Sequence, residues 1–280
     1  MNDDPATNDT VLSNDTVLSN DTVLSNDSAS ATVSCDGGRL SSLIVEGMEV
    51  LITEGDRPSR WGMFPMIPWC GRLPFGRLTF DGAEFEMPIN SAPHANHGRA
   101  FLQEWVVVEP VSNGAVTIET ALVGPWPFGG RAVQRFELSE QQLVITAEVH
   151  AGESAMPAMA GWHPWFRRQL TRGNAAELAF SAAAVYSVDE DLVPTGDMEA
   201  VPPAPWNACF VGVANGPRIT WPGALTLHLS STFDRWVMFT EPEHALCVEP
   251  QSGPPNEFHL APHILQPGEA LVGSMTLRWT

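Results

Sequence analysis

From Val33 onward, apolar residues fall in short runs at alternating positions, and turn-forming pairs separate the runs. Leu40, Leu43 and Val45, then Met48, Val50 and Ile52, make two such runs broken at Glu46-Gly47. Arg77–Phe80 and Ala83–Met87 flank Asp81-Gly82, and Trp105–Val111 and Ala115–Leu122 flank Asn113-Gly114. Asx-Gly between alternating segments is a strong hairpin signal, because both central residues of the favoured turn need positive φ. Ala132–Leu138 and Leu143–Val149 surround Ser139–Gln142, which predicts a third hairpin with a longer turn. Further strands are expected at 177–180, 184–188, 225–230, 235–239, 245–249 and 271–279. Helical periodicity is almost absent, and 24 prolines and 23 glycines punctuate the chain. Many short strands at close spacing predict an all-β fold, a large antiparallel β-sandwich. No GxGxxG leads a strand into a helix and no P-loop is present, so nucleotide-binding folds gain no support.

The first 32 residues break this pattern. Residues 8–27 repeat the unit NDTVLS, a period far too short for a helical solenoid and too polar to offset chain entropy by burial. The reading is a disordered tail over 1–32 followed by one domain over 33–280.

Composition narrows the partners. Net charge is −19 and all 14 basic residues are arginine. Such a surface repels phosphates and anionic lipids, so no nucleic acid and no membrane is expected. No run of about 18 apolar residues exists, and the acidic start lacks the form of a secretory signal. The expectation is a cytoplasmic monomer or homodimer acting on a small molecule. Cys35, Cys70, Cys209 and Cys247 lie far apart among apolar or small neighbours, which suits reduced, packed thiols.

Four segments carry candidate chemistry. Ala245–Phe258 reads ALCVEPQSGPPNEF, an apolar strand that delivers Glu249 to its end, where Pro250 stops it. Alternation sets Cys247, Glu249 and Gln251 on one face. The plain alternative is a structural carboxylate at a strand end. Three aromatic, proline-rich stretches read as loops. The first, Gly62–Phe80, embeds Arg72 in apolar sequence, where a guanidinium serves either sugar hydroxyls or a core carboxylate. In the second, Pro93–Phe101, His94 and His97 lie three apart; in a loop that spacing is a weak metal signal, and contact with a ligand oxygen is the better reading. In the third, Gly161–Arg168, His163 stands between Trp162 and Trp165. That is a common setting for a half-buried imidazole, and also the way aromatic faces build sugar pockets. Nothing marks a nucleophilic serine. A glycosidase would need two facing carboxylates, and only Glu249 has the setting. What remains is one carboxylate base working with imidazole acids.

The order GMFPMIPWCGRLPFGRLTFDG, HANHG, GWHPWF and VEPQSGPPNEF, closing with LQPGEALVGSMTLRW, resembles the aldose 1-epimerase (mutarotase) family from about residue 38 to the end. The resemblance implies a galactose-mutarotase-like sandwich that interconverts the α and β anomers of a free hexose, with no metal and no organic cofactor. It implies Glu249 as base and His163 as acid, with Arg72 and His97 on the sugar; Asn207 and Gln251 complete the expected contacts. Two departures stand out: Gly71 precedes Arg72 where the family has Asn, and Asn207 stands in PWNACF where the family has Asp. At ordinary pKa values of about 4.3 and about 6.5, Glu249 is ionised at neutral pH and His163 needs its pKa raised to serve as acid. Two alternatives share the fold. One is a hexose-6-phosphate 1-epimerase using Arg99, Arg131 and Arg167, which the acidic total opposes. The other is a carbohydrate-binding protein without turnover.

Overall fold

The computed structural model describes residues 21–280. Two antiparallel sheets face each other. In the larger, of twelve strands, the main path runs 21–25, 29–34, 39–45, 63–66, 161–164, 245–251, 235–239, 207–211, 184–188 and 194–199. The second, of eight strands, runs 106–112, 115–121, 131–139, 142–150, 270–279, 225–231, 218–221 and 177–179.

The second sheet follows the sequence pattern closely. Arg131–Ser139 and Gln142–His150 alternate buried and half-buried positions along their length, with Ala132, Phe136, Leu143, Ile145, Ala147 and Val149 turned into the core. Their turn is shorter than expected, since Ser139 pairs with Gln142 and only Glu140 and Gln141 remain between the strands. The Glu46-Gly47, Asp81-Gly82 and Asn113-Gly114 pairs all take positive φ and join paired strands, as the sequence predicts.

One polar side chain interrupts the apolar face of this sheet. Gln134 is 1% exposed; its Nε2 donates to Gly38 O at 2.6 Å and its Oε1 accepts Trp162 Nε1 at 3.0 Å. A buried amide is tolerated when its bonds are made, and here they link the second sheet to the strand that carries His163.

Two expectations are corrected. The domain begins before residue 33: Asp21–Ser25, the last five residues of the third NDTVLS unit, pairs with Ala29–Ser34 and buries Leu24 to 1%. One apolar residue on the inward face, held by a full strand ladder, is enough to seat a unit that composition alone marks as tail. The rest of that expected tail, residues 1–20, lies outside the described residues. The second correction concerns Met63–Met66 and Gly161–Pro164, read from sequence as loops. Both are strands at the centre of the large sheet, and every residue in them is buried. A strand covered on both faces loses its alternation, and their prolines imitate turn signals. All four described cysteines are free and buried.

Candidate active site

Three central strands meet at one point. Gly161–Pro164 pairs with Met63–Met66, His163 lying opposite Phe64, and it touches Ala245–Gln251 at Gly161 opposite Gln251. The 245–251 strand does not stop at Pro250 but continues through it to Gln251, paired along its other edge with Arg235–Phe239. This brings His163 Nε2 to 3.3 Å from Glu249 Oε1, with the side chains 7% and 2% exposed.

The approach depends on Gly161. A Cβ there would lie 2.7 Å from Pro250 O and 3.0 Å from Cys70 Sγ, contacts that force backbone to move. Gly161→Ala is therefore expected to cost about 1–3 kcal/mol of stability and to separate His163 from Glu249. Denaturant titration alongside activity checks this; a variant with unchanged midpoint and rate would refute it.

Burial governs the charges. It pushes the Glu249 carboxyl well above its ordinary range, against the Gln251 hydrogen bond and the Arg72 charge, which both act downward. It drives His163 down to about 3. Both shifts run against the ionised Glu249 and raised His163 expected from sequence, and favour a neutral pair that shares one titratable proton between carboxyl and imidazole. Desolvating two charges costs more than their attraction and the Gln251 hydrogen bond return. His163 lies between Phe64 and Trp165, with ring centroids 4.9 and 5.3 Å away and near-parallel planes. That stacking fixes the plane in which Nε2 can exchange a proton.

All six expected site residues line one cavity of about 450 Å³: Arg72, His97, His163, Asn207, Glu249 and Gln251. His97 has φ 63°, and its Nδ1 accepts the Gly71 N–H at 3.3 Å, so the neutral ring carries its proton on Nε2. Burial first, then His163 and Arg72, hold His97 well below its ordinary pKa. It is a fixed neutral donor. Arg72 donates to Leu192 O at 3.2 Å. Gln251 Nε2 donates to Glu249 Oε2 at 3.3 Å, and Asn207 Nδ2 lies 3.5 Å from Glu241 Oε2, which sets a carboxylate beside this amide. Gly71 has φ 62°, and a Cβ there would lie 2.5 Å from Pro255, which also lines the cavity, so a side chain at this position would collide.

Other expectations move. Trp162 points away from the cavity into the core, toward Gln134 and Phe233, and only Trp165 of the two flanking tryptophans lines it. None of Arg99, Arg131 and Arg167 lines it: Arg131 pairs with Glu119 at 2.7 Å on the other sheet, and Arg167 donates to Leu51 O. His94 turns its Nδ1 to the Phe75 N–H, so the two histidines of the HxxH spacing serve different loops. Among the described residues, the one cluster with metal-type ligand atoms within 4.8 Å of one another is His163, Cys247 and Glu249. Its thiol is a poor ligand, because burial and Glu249 raise it well above its ordinary pKa and keep it protonated. Sequence reasoning missed Arg57, Arg60, Asn96 and His244, which also line the cavity. Asn96 sits within HANHG beside His97, a motif that assigns it no role, and no motif marks Arg57, Arg60 or His244. They come from connecting segments whose position only the folded chain reveals.

The aldose 1-epimerase family model matches residues 21–278. Among curated relatives, the Escherichia coli K12 protein YphB is 25% identical over 241 residues, covering 77% of this chain and 82% of its own. The E. coli protein YihR is 28% identical over 176 residues, and the match spans only 56% of its length. Rat galactose mutarotase is 28% identical over 135 residues, 45% of this chain and 39% of its own. Two solved structures share the fold: a putative aldose 1-epimerase from E. coli, at 22% identity and TM-score 0.81, covering 93% of this chain and 98% of that one; and a galactose mutarotase-like protein from Clostridium acetobutylicum, at 18% and 0.82, covering 92% and 94%. With a match over nearly all of its described length and the same sandwich, this chain belongs to the aldose 1-epimerase family.

Proposed function

We propose that this protein is an aldose 1-epimerase that interconverts the α and β anomers of a reducing hexose by ring opening and re-closure, with Glu249 as base and His163 as acid. The observation that carries the reading is their 3.3 Å contact at the base of the cavity. The anomeric hydroxyl and the ring oxygen are bonded to the same carbon, so the groups that serve them have to be neighbours.

The proton first crosses from Glu249 to His163. Glu249 then removes the proton of the anomeric hydroxyl while His163 protonates the ring oxygen. The bond from the anomeric carbon to the ring oxygen breaks and the carbonyl forms. After rotation about the bond between the first two carbons, the ring oxygen attacks the other face and returns its proton to His163, while Glu249 returns its own to the new hydroxyl. Passage of the proton from His163 back to Glu249 then restores the starting pair, with no outside proton donor required. Arg72, the Nε2–H of His97, Asn207 and Gln251 hold the sugar hydroxyls in this reading. Among the described residues Asn96 Oδ1 and Gln251 Oε1 have no hydrogen-bond partner, which suits a wall that meets a ligand rich in hydroxyls. A protein that only bound sugar would need these donors and acceptors, but not a buried carboxyl joined to an imidazole.

The test is anomer exchange. Polarimetry on freshly dissolved α-glucose or α-galactose, or NMR exchange at equilibrium, is expected to show acceleration over the spontaneous rate. Sugar binding by calorimetry without acceleration would replace the enzyme reading with a binding one.

A further inference from the structure

Arg72 is held by the protein itself, through a turn at the cavity wall. The Ala184–Val188 and Pro194–Glu199 strands form a hairpin at one edge of the large sheet, and Val188, Leu192 and Pro194 from its tip line the cavity. The turn is bonded within itself: Asp189 Oδ1 accepts the N–H groups of Asp191 and Val193 at 2.9 Å, and Leu192 N–H donates to Asp189 O at 3.1 Å. Leu192 has φ 59°, a left-handed conformation unfavourable for a residue with a Cβ. That conformation aims the Leu192 carbonyl at Arg72, whose NH1 donates to it at 3.2 Å. Strain of this kind persists where surrounding contacts enforce it.

Two hydrogen bonds join residues 189–194 to the described chain outside the hairpin, and Arg72 makes one of them. Asn256 makes the other, its Nδ2 donating to Pro194 O at 3.0 Å. Asn256 also takes a left-handed φ, 69°, which asparagine tolerates better than most residues. It follows Pro255 directly, and Pro255 packs on Gly71 so closely that a Cβ there would meet it. The contacts therefore close into a ring: Asn256 to Pro194, Leu192 to Arg72, and Gly71 back to Pro255. Pro255 and Asn256 belong to the same VEPQSGPPN stretch as Glu249. Arg72 is thus tied twice to the stretch that carries the proposed base. Its bond to Leu192 uses one N–H and leaves the other guanidinium donors for a ligand. Asn256 does not line the cavity, so its influence on a sugar has to pass through its neighbours.

We propose that Asn256 is a positioning residue for the sugar site: through Pro194 and the Leu192 carbonyl it holds Arg72 in its binding geometry before a sugar arrives. This rests on the reading above, in which Arg72 meets sugar hydroxyls and takes no part in proton transfer. A donor placed in advance saves the ligand the cost of ordering it. Loss of that placement raises KM and spares kcat.

Asn256→Gly removes the amide and keeps the left-handed backbone. In NMR exchange on glucose and galactose it is expected to raise KM about five- to tenfold, the worth of one hydrogen bond, with kcat within about twofold of wild type. Leu192→Pro cannot take φ 59°, turns the same carbonyl away, and should raise KM likewise. The deciding measurement is a double-mutant cycle. In an Arg72→Ala background, Asn256→Gly should change KM by less than about twofold, because the group it positions is gone. A residue that merely supports the fold would cost the same factor in both backgrounds. Unchanged KM in folded Asn256→Gly, a fall in kcat in its place, or factors that multiply in full would overturn the proposal and leave the epimerase intact. Should Asn256→Gly not fold, the cycle of Leu192→Pro with Arg72→Ala decides by the same criteria. If wild type accelerates neither sugar, the epimerase reading fails; the cycle on calorimetric Kd then decides the positioning role, and absence of sugar binding removes both.

Discussion

Glu249→Gln is expected to lower the rate of anomer exchange by about 10²–10⁴-fold, the range over which a positioned acid or base contributes. The substitution keeps volume and hydrogen-bonding reach while removing the one group at the cavity base able to accept a proton from the anomeric hydroxyl. It also spares the fold. The carboxyl is buried and its pKa is raised toward the neutral form, so an amide of the same shape brings no new charge and can still accept the Gln251 hydrogen bond. A loss of activity with an unchanged denaturation midpoint and unchanged sugar binding is the expected signature. His163→Asn should resemble it in rate, though with some loss of stability from the ring stacked between Phe64 and Trp165. Retention of more than a tenth of wild-type exchange by Glu249→Gln would remove this residue from the mechanism.

The second large effect is on stability as a function of pH. In the folded protein the pair holds one proton. In the unfolded chain, Glu249 titrates near its ordinary 4.5 and His163 near 6.5. Between those values the unfolded chain also holds one proton, on the imidazole, so the pair adds no slope. Above 6.5 the unfolded chain has released it while the folded pair retains it, so stability falls as pH rises, by about 1.4 kcal/mol per unit, until the buried carboxyl ionises. Below 4.5 the unfolded chain holds two protons against one, so stability falls as pH falls, until His163 takes up a proton at about 3. Subtracting the stability curve of Glu249→Gln/His163→Asn from that of wild type should leave a plateau with two falling flanks. The plateau counts protons and is the same whichever partner holds the shared one; the NMR shift of the Glu249 carboxyl carbon locates it. A difference curve flat from pH 3.5 to 9 would contradict a one-proton pair.

The parts of the fold legible in the sequence were those in which one face meets water. Alternation and Asx-Gly turns give the hairpins at 77–86 and 106–121, and alternation alone gives the long strands of the second sheet. The strands that build the site were the least legible. Met63–Met66 and Gly161–Pro164 are buried throughout, so no polar residue marks their faces, and Asn207–Val211 lacks a clean period. Arg72, His97, His163, Asn207, Glu249 and Gln251 were found because their motifs recur in order within a family, and spacing alone would not have joined them. Arg57 and Arg60 belong to no motif; Arg39 and Trp165 bring their turn to the cavity, and only the folded chain shows it. The proton inventory of the site was misread for a related reason. Ordinary pKa values presuppose water, and His163 and Glu249 have almost none around them.

The strand Asp21–Ser25 closes one edge of the large sheet with a unit that occurs three times in succession before Asn26. Because the copies are identical, loss or gain of a whole unit would leave the residues that meet Ala29–Ser34 unchanged. The unit has an even number of residues, so a register shift by one full copy would still direct leucine inward and valine outward. The sandwich is thereby insulated from the number of units at its own border: the edge strand reads the same whichever copy supplies it.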